Sequence, residues 1–196
     1  MKMRFGYSSD FSQLSTWAIN RVTGGHAHCF VIFHNGRREF YFESIFLKKY
    51  DWKIDGYKNG VRGPIDFCHV VDWVKEKPEK RKLMLQPYPG FLPFSEDEVL
   101  TAFNLLSKSV HTIHYAPLQI VSNWIAARTG LEIRYWRTGA KRWTCSETNF
   151  RTLPNWAWKY YGLPDVTADS MAPGGDRLPS IEHGTASLLK DHPAID

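Results

Sequence analysis

Cys145 lies in the run Trp143-Thr144-Cys145-Ser146-Glu147. A threonine followed three residues on by glutamate is the capping-box pattern, which predicts a helix start with Thr144 at the N-cap and Cys145 at the first helical position. Unsatisfied backbone N–H groups and the positive end of the helix dipole favour an anion there. A thiol that normally ionises near 8.5 is then expected to fall to somewhere in about 3.5–7.5 once a basic partner joins it. The same N–H groups can form part of an oxyanion hole, while a Glu147 used in capping is structural. Capping boxes are common and unpaired cysteines are among the most buried residues, so Cys145 alone reads first as an ordinary core thiol. A base has to be found elsewhere in the chain.

The runs Ala27 to His34 and Arg37 to Glu43 are rich in β-formers and are separated by Asn35-Gly36. Asn-Gly between two such runs is the strongest short hairpin signal, because a type I′ turn needs positive φ at both central residues. A two-residue turn there sets His34 against Arg37 and, carried down the strands, His28 against Glu43. Opposed residues share a face with Cβ atoms about 4.5–5.5 Å apart, within reach for a carboxylate to accept an imidazole N–H. That supplies the base and orienter of a nucleophile, base and acid arrangement. His26 shares the face of His28 but falls opposite Ile45, so the register prefers His28. A three-residue loop or a bulge would turn Glu43 away, and the bland alternative is a surface His–Glu pair contributing roughly 0.2–1 kcal/mol. His69, His111, His114, His183 and His192 read as solvated or structural. Tyr7, Tyr115 and Trp143 are candidates to line the substrate pocket.

These residues need elements to position them. After a short first strand, Ser9-Asp10 precedes Phe11, Leu14, Trp17 and Ala18 at helical spacing, and Gly24-Gly25 closes that segment. Ile65 to Val74 and Lys82 to Gln86 read as further strands among prolines. Ser95-Glu96-Asp97-Glu98 is a second capping box, with Val99, Leu100, Phe103 and Leu106 as its buried stripe. Another helix is predicted from Pro117 to Gly130, with Leu118, Val121, Trp124 and Ile125 inward. The helix after Thr144 should run to about Leu153, with a further turn or two over Asn155 to Tyr161. From Leu163 the Pro-, Gly- and Asp-rich chain is expected to be extended.

The 196 residues, 43% apolar and 15% aromatic, suffice for one core and one domain. The net charge of +5 is interleaved rather than blocked and gives no indication of nucleic acid. Three cysteines, an odd number without metal-type pair spacing, argue against a disulfide framework and read as reduced thiols. No apolar run reaches the roughly 18 residues of a membrane span and the N-terminus has no apolar central region, so a cytoplasmic location is expected.

Three short pieces together resemble the circularly permuted papain-like enzymes of the NlpC-related superfamily, the YiiX-like group. They are Thr23-Gly24-Gly25-His26-Ala27-His28-Cys29-Phe30-Val31-Ile32, Tyr41-Phe42-Glu43-Ser44, and Trp143-Thr144-Cys145-Ser146-Glu147. In that group a histidine opens a strand, an acid follows on the next strand, and the cysteine comes last at a helix start. The resemblance spans roughly Tyr7 to Pro179. It implies an α+β fold, with an antiparallel β-sheet or partial barrel packed against several helices. It implies a single permuted papain-like catalytic domain over residues 1–180, followed by an extended C-terminal tail over 181–196. Position by position, Cys145 matches the nucleophile, His28 the base and Glu43 the orienting acid. Cys29 beside the base departs from the pattern as a second thiol in reach of oxidation.

The expected activity is thiol-dependent hydrolysis or acyl transfer at an amide or ester. A cell-wall-type peptide amide is the first choice of substrate, and no cofactor is implied. Two other classes compete. One is a binding module that kept the fold and lost turnover; the other is a zinc site on His26, His28, Glu43 and a cysteine, although the usual zinc-enzyme spacings are missing.

Overall fold

The structure, a computed structural model, describes residues 1–10, 28–45, 60–76, 81–85, 94–110, 112–118, 129, 141–154 and 156. The helix expected after Asp10, His26, most of the helix expected from Pro117, and everything beyond Trp156 lie outside these residues, as does the 181–196 tail.

Strands β1 (Lys2–Asp10), β2 (His28–His34), β3 (Glu39–Ile45) and β4 (Gly60–Asp66) are followed by helix α1 (Phe67–Glu76), strand β5 (Arg81–Leu85) and helix α2 (Glu96–Ser109). Short strands β6 (His114–Tyr115) and β7 (Arg142–Trp143) then lead to helix α3 (Cys145–Arg151). The five long strands form one antiparallel sheet in the order β4-β3-β2-β1-β5. The chain is therefore α+β, with β3, β2 and β1 in the interior of the sheet.

Strand alternation divides the sheet into two faces. Met3, Phe5, Tyr7, Cys29, Val31, Phe33 and Phe42 pack with Val99, Ala102 and Leu106 of α2 and with Trp143, Cys145 and Leu153 around α3. Phe30, Ile32, Tyr41 and Ile65 face the other way, onto Phe67, Val70 and Trp73 of α1. The central strands are thus covered on both sides, which is why Cys29 to Phe33 reads as a continuous apolar run rather than an alternating one.

Helix α1 corrects the strand expected over Ile65 to Val74. Strand β4 stops at Asp66, whose carboxylate accepts the Cys68 backbone N–H at 3.0 Å, and the helix starts there. Phe67, Val70 and Trp73 recur at helical spacing, a period hidden by the β-branched content of the segment. In α2 the Ser95–Glu98 capping box is fully formed. Leu100, expected in its buried stripe, is 44% exposed, and Ala102 fills the inward position instead. Leu118 also points outward, at 53% exposure.

The hairpin turn is displaced from the expected one. The partners are His34↔Glu39, Phe33↔Phe40, Ile32↔Tyr41 and Val31↔Phe42, so the central turn residues are Gly36 and Arg37 rather than Asn35 and Gly36. Asn35 instead closes the turn. Its side-chain oxygen accepts the backbone N–H groups of Arg37 (3.0 Å) and Arg38 (2.9 Å), and its own N–H donates to the Arg38 carbonyl at 3.1 Å. Asparagine's ability to satisfy the backbone locally outweighs the Asn-Gly preference for the two central positions. Only Gly36 takes a positive φ, 95°.

Candidate active site

Because the partner of His34 moves by two residues, an even number, every side chain keeps its expected face. Direct opposition of His28 and Glu43 is lost, since Glu43 falls at the level of Phe30. The two meet diagonally instead, with His28 Nε2 2.7 Å from Glu43 Oε2. Diagonal neighbours stand about 7–8 Å apart at the backbone, a gap that a histidine and a glutamate together span.

A β-bulge then brings in a residue the sequence reading missed. Phe40 and Tyr41 pair with Asp66 and Ile65, whereas Glu43, Ser44 and Ile45 pair with Arg62, Val61 and Gly60, so β4 carries one extra residue between the two sets. Without it Arg62 would oppose Ser44 and point to the other face; with it, Arg62 lies across from Glu43. The Arg62 guanidinium pairs with Glu43 Oε1 and donates to the Tyr41 hydroxyl at 2.6 Å. Gly63 permits the bulge: its φ is 138°, and a Cβ there would lie 2.6 Å from the Tyr41 carbonyl oxygen and 2.7 Å from the Phe42 ring. The Gly63-Pro64 pair is the sole sequence signal of a bulge here, and it does not say which face Arg62 will take.

Cys145 reaches the histidine from α3. Thr144 caps that helix, accepting the Glu147 N–H at 3.1 Å, as the motif predicts. The Glu147 carboxylate pairs one turn on with Arg151 at 2.7 Å. The residue before the cap is fixed through its carbonyl, since Trp143 O accepts from the Ser44 hydroxyl (3.2 Å) and the Ala116 N–H (3.0 Å). Parallel pairing of β6 with β7 sets Tyr115 beside Trp143. These links tie β3, β6 and α3 together around the thiol.

The Cys145 sulfur interacts with His28, with the thiol and backbone N–H of Cys29, and with the Tyr115 hydroxyl. His28 and Cys29 point to opposite faces of the sheet. One sulfur touches both because they are the first two residues of β2, where the strand ends. With His28 Nε2 engaged by Glu43, Nδ1 is the nitrogen left for the thiol.

The charges follow from these contacts. The Cys29 thiol hydrogen bond outweighs burial and, with His28, holds Cys145 well below the usual thiol value. Burial alone would push His28 down, but hydrogen bonds to Cys145 and Glu43 and their negative charges raise it to about 10. Burial would likewise raise Glu43, yet Arg62 and His28 bring it down to about 2. Burial and the adjacent sulfur push Cys29 and Tyr115 up, so both remain protonated donors. Together these shifts favour a thiolate–imidazolium pair beside an ionised glutamate.

Of the three aromatic residues expected to line a pocket, Tyr115 is at the sulfur. Tyr7 and Trp143 are packed into the core on the Cys145 side, and the Arg151 guanidinium lies 4.9 Å from the Trp143 ring centre. Among the described residues no three or more His, Cys, Asp or Glu side chains are arranged so that they could hold a metal ion, and His26, one of the residues of the zinc reading, lies outside them. No described helix is long and apolar enough to cross a membrane.

The fold and site define an α+β protein carrying a cysteine, histidine and glutamate cluster at one end of an antiparallel sheet. Comparison of the chain with family models, curated proteins and solved structures gives no match.

Proposed function

We propose that this chain is a thiol-dependent hydrolase or acyltransferase acting on an amide or ester, with a cell-wall-type peptide amide as the leading substrate. The reading rests on one observation: His28 is held between Glu43, at 2.7 Å, and the Cys145 sulfur. The order histidine, acid, cysteine along the chain agrees with the resemblance to permuted papain-like enzymes.

In this mechanism the Cys145 thiolate attacks the acyl carbon, and the carbonyl π electrons move onto oxygen. The hydrogen-bond donors beside the sulfur, the Tyr115 hydroxyl and the Cys29 N–H, would stabilise the negative charge that develops on that oxygen. Collapse of the intermediate breaks the bond to the leaving nitrogen or oxygen, which takes the proton from the His28 imidazolium. A thioester remains on Cys145. Water, or an acceptor nucleophile, then gives a proton to His28 and attacks the thioester, releasing the acyl product and restoring the ion pair. Glu43 holds the imidazole orientation throughout.

One observation favours a second reading. Cys145 is 8% exposed and sits within the core cluster, as suits a binding module that keeps the fold without turnover. Alkylation separates the two. Iodoacetamide at mildly acidic pH should modify Cys145 quickly and ahead of Cys29 and Cys68, and Cys145→Ala should abolish hydrolysis of peptide or ester substrates while leaving the fold intact. Cys145 alkylating no faster than an ordinary thiol would overturn the enzyme reading.

A further inference from the structure

Arg62 is 3% exposed and Glu43 1%, and their contact is made by a bulge that turns the arginine to the glutamate's face. A buried position is a costly place for a guanidinium, even on an edge strand such as β4, unless its charge is matched. The match has a chemical consequence. A carboxyl group with so little access to water tends to take up a proton, and a neutral Glu43 would become a donor toward His28 Nε2. His28 would then have to accept at Nε2, give up its positive charge, and leave the Cys145 proton on sulfur.

Every described element around Glu43 bears on this balance. His28 contributes from β2, Tyr41 from β3, Arg62 from β4, and Tyr115 and Cys145 from β6 and α3. Tyr41 donates its hydroxyl to the Glu43 carboxylate and accepts from Arg62, closing a triangle of hydrogen bonds. Arg62 is the cation that opposes protonation of Glu43 without belonging to the nucleophile pair.

We infer that Arg62 is a positioning residue, which acts through Glu43 by keeping it an anion so that His28 stays charged beside Cys145. The inference rests on the cysteine-enzyme reading above. The planar fork contacts Glu43 and the Tyr41 hydroxyl together, so lysine is expected to replace the charge but not the geometry.

The test follows Cys145 alkylation by iodoacetamide against pH, together with a ¹³C titration of the Glu43 carboxyl, in the full chain. In Arg62→Met the acid limb of alkylation should move up by a unit or more, and at pH values below the unsubstituted protein's own limb the rate should fall by about tenfold per unit moved. The rate at pH 9.5 should stay within about twofold of the unsubstituted protein, as both then react as thiolates. Arg62→Lys should recover most of the rate lost on that limb. A purely structural arginine would lower Tm and leave the pH profile in place, and that result overturns the inference. Should Arg62→Met fail to fold, the carboxyl titration decides: Glu43 ionised down to about pH 3 supports the role, and titration near 4.5 overturns it. An unsubstituted Cys145 that alkylates like a free thiol while Glu43 stays ionised would sink the enzyme reading alone.

Discussion

Glu43 uses its two oxygens for two different partners: Oε2 lies 2.7 Å from His28 Nε2, and Oε1 pairs with Arg62. One buried carboxylate therefore sits between a candidate catalytic base and a buried cation. Substitutions on either side should affect chemistry and stability in separable ways.

Glu43→Gln keeps the size of the side chain and removes its charge. Turnover is expected to drop by roughly 10²–10⁴, the usual range for losing a general acid–base arrangement. Arg62 would be left buried without its counter-charge, at a cost of about 3–5 kcal/mol. Denaturant unfolding measures the second effect and kcat the first. Unchanged stability in this variant would show that Arg62 has another anion.

The pH dependence has a sign that can be worked out. Lowered to about 2, Glu43 contributes stability that is present above its ordinary value of about 4.5 and lost as pH falls through 2. His28, raised to about 10, contributes stability fully present below 6.5 and lost as pH rises through 10. Cys145, held below the ordinary thiol value of 9.0, acts in the opposite sense over part of that range. Between about 6.5 and 9.0 the native ion pair and the unfolded chain hold the same single proton, so this pair leaves stability flat there; above about 9 stability should decline, more steeply because the Cys29 thiol, pushed up by burial, also keeps its proton in the native state. Urea midpoints measured across pH 5–10.5 check this, and a steady fall beginning at pH 6.5 would mean that Cys145 is not ionised.

Activity should follow a related course. It rises on an acid limb set by formation of the Cys145 thiolate, well below the ordinary thiol range, and falls on an alkaline limb near 10 as His28 loses its proton. These values belong to the coupled pair rather than to either residue. A kcat/KM profile whose acid limb lies near 8.5 would be incompatible with the preformed ion pair.

Thr144→Ala removes the side chain that accepts the Glu147 N–H at 3.1 Å. A loss of roughly 0.5–2 kcal/mol is expected. Slower alkylation of Cys145 at mildly acidic pH should accompany it, since the first turn of α3 positions the sulfur. Retained stability with retained reactivity would show that the links to the Trp143 carbonyl suffice.

Gly63→Ala places a Cβ 2.6 Å from the Tyr41 carbonyl at a φ of 138°. The strain should cost more than about 1 kcal/mol, and relaxing it requires the bulge to shift. Because the bulge turns Arg62 toward Glu43, the acid limb of Cys145 alkylation should move with the stability. A fall in Tm without any change in that limb would separate the bulge from the site.

Local rules made much of this legible from the chain alone. Thr144, Ser95 and their glutamates marked two helix starts, because a cap acts within four residues and needs nothing from the rest of the molecule. The hairpin strands over His28 to Glu43 and the shared face of His28 and Glu43 follow from a period of two. The same rules failed where two local preferences competed: Asn35 capped the turn rather than entering it, and the Phe67 to Trp73 period lost to β-branched content in the reading but not in the fold.

What the sequence determined, then, is the kind of chemistry available: a thiol at a helix start, and a histidine and an acid on one strand face. Tertiary structure decided which groups meet. It set His28 and Glu43 diagonally, turned Arg62 inward through one extra residue in β4, and carried Cys29 and Tyr115 to the sulfur. Those contacts join strands far apart in the chain, and their geometry depends on register and on a bulge. Both are fixed by packing of the whole sheet rather than by any residue's own preference.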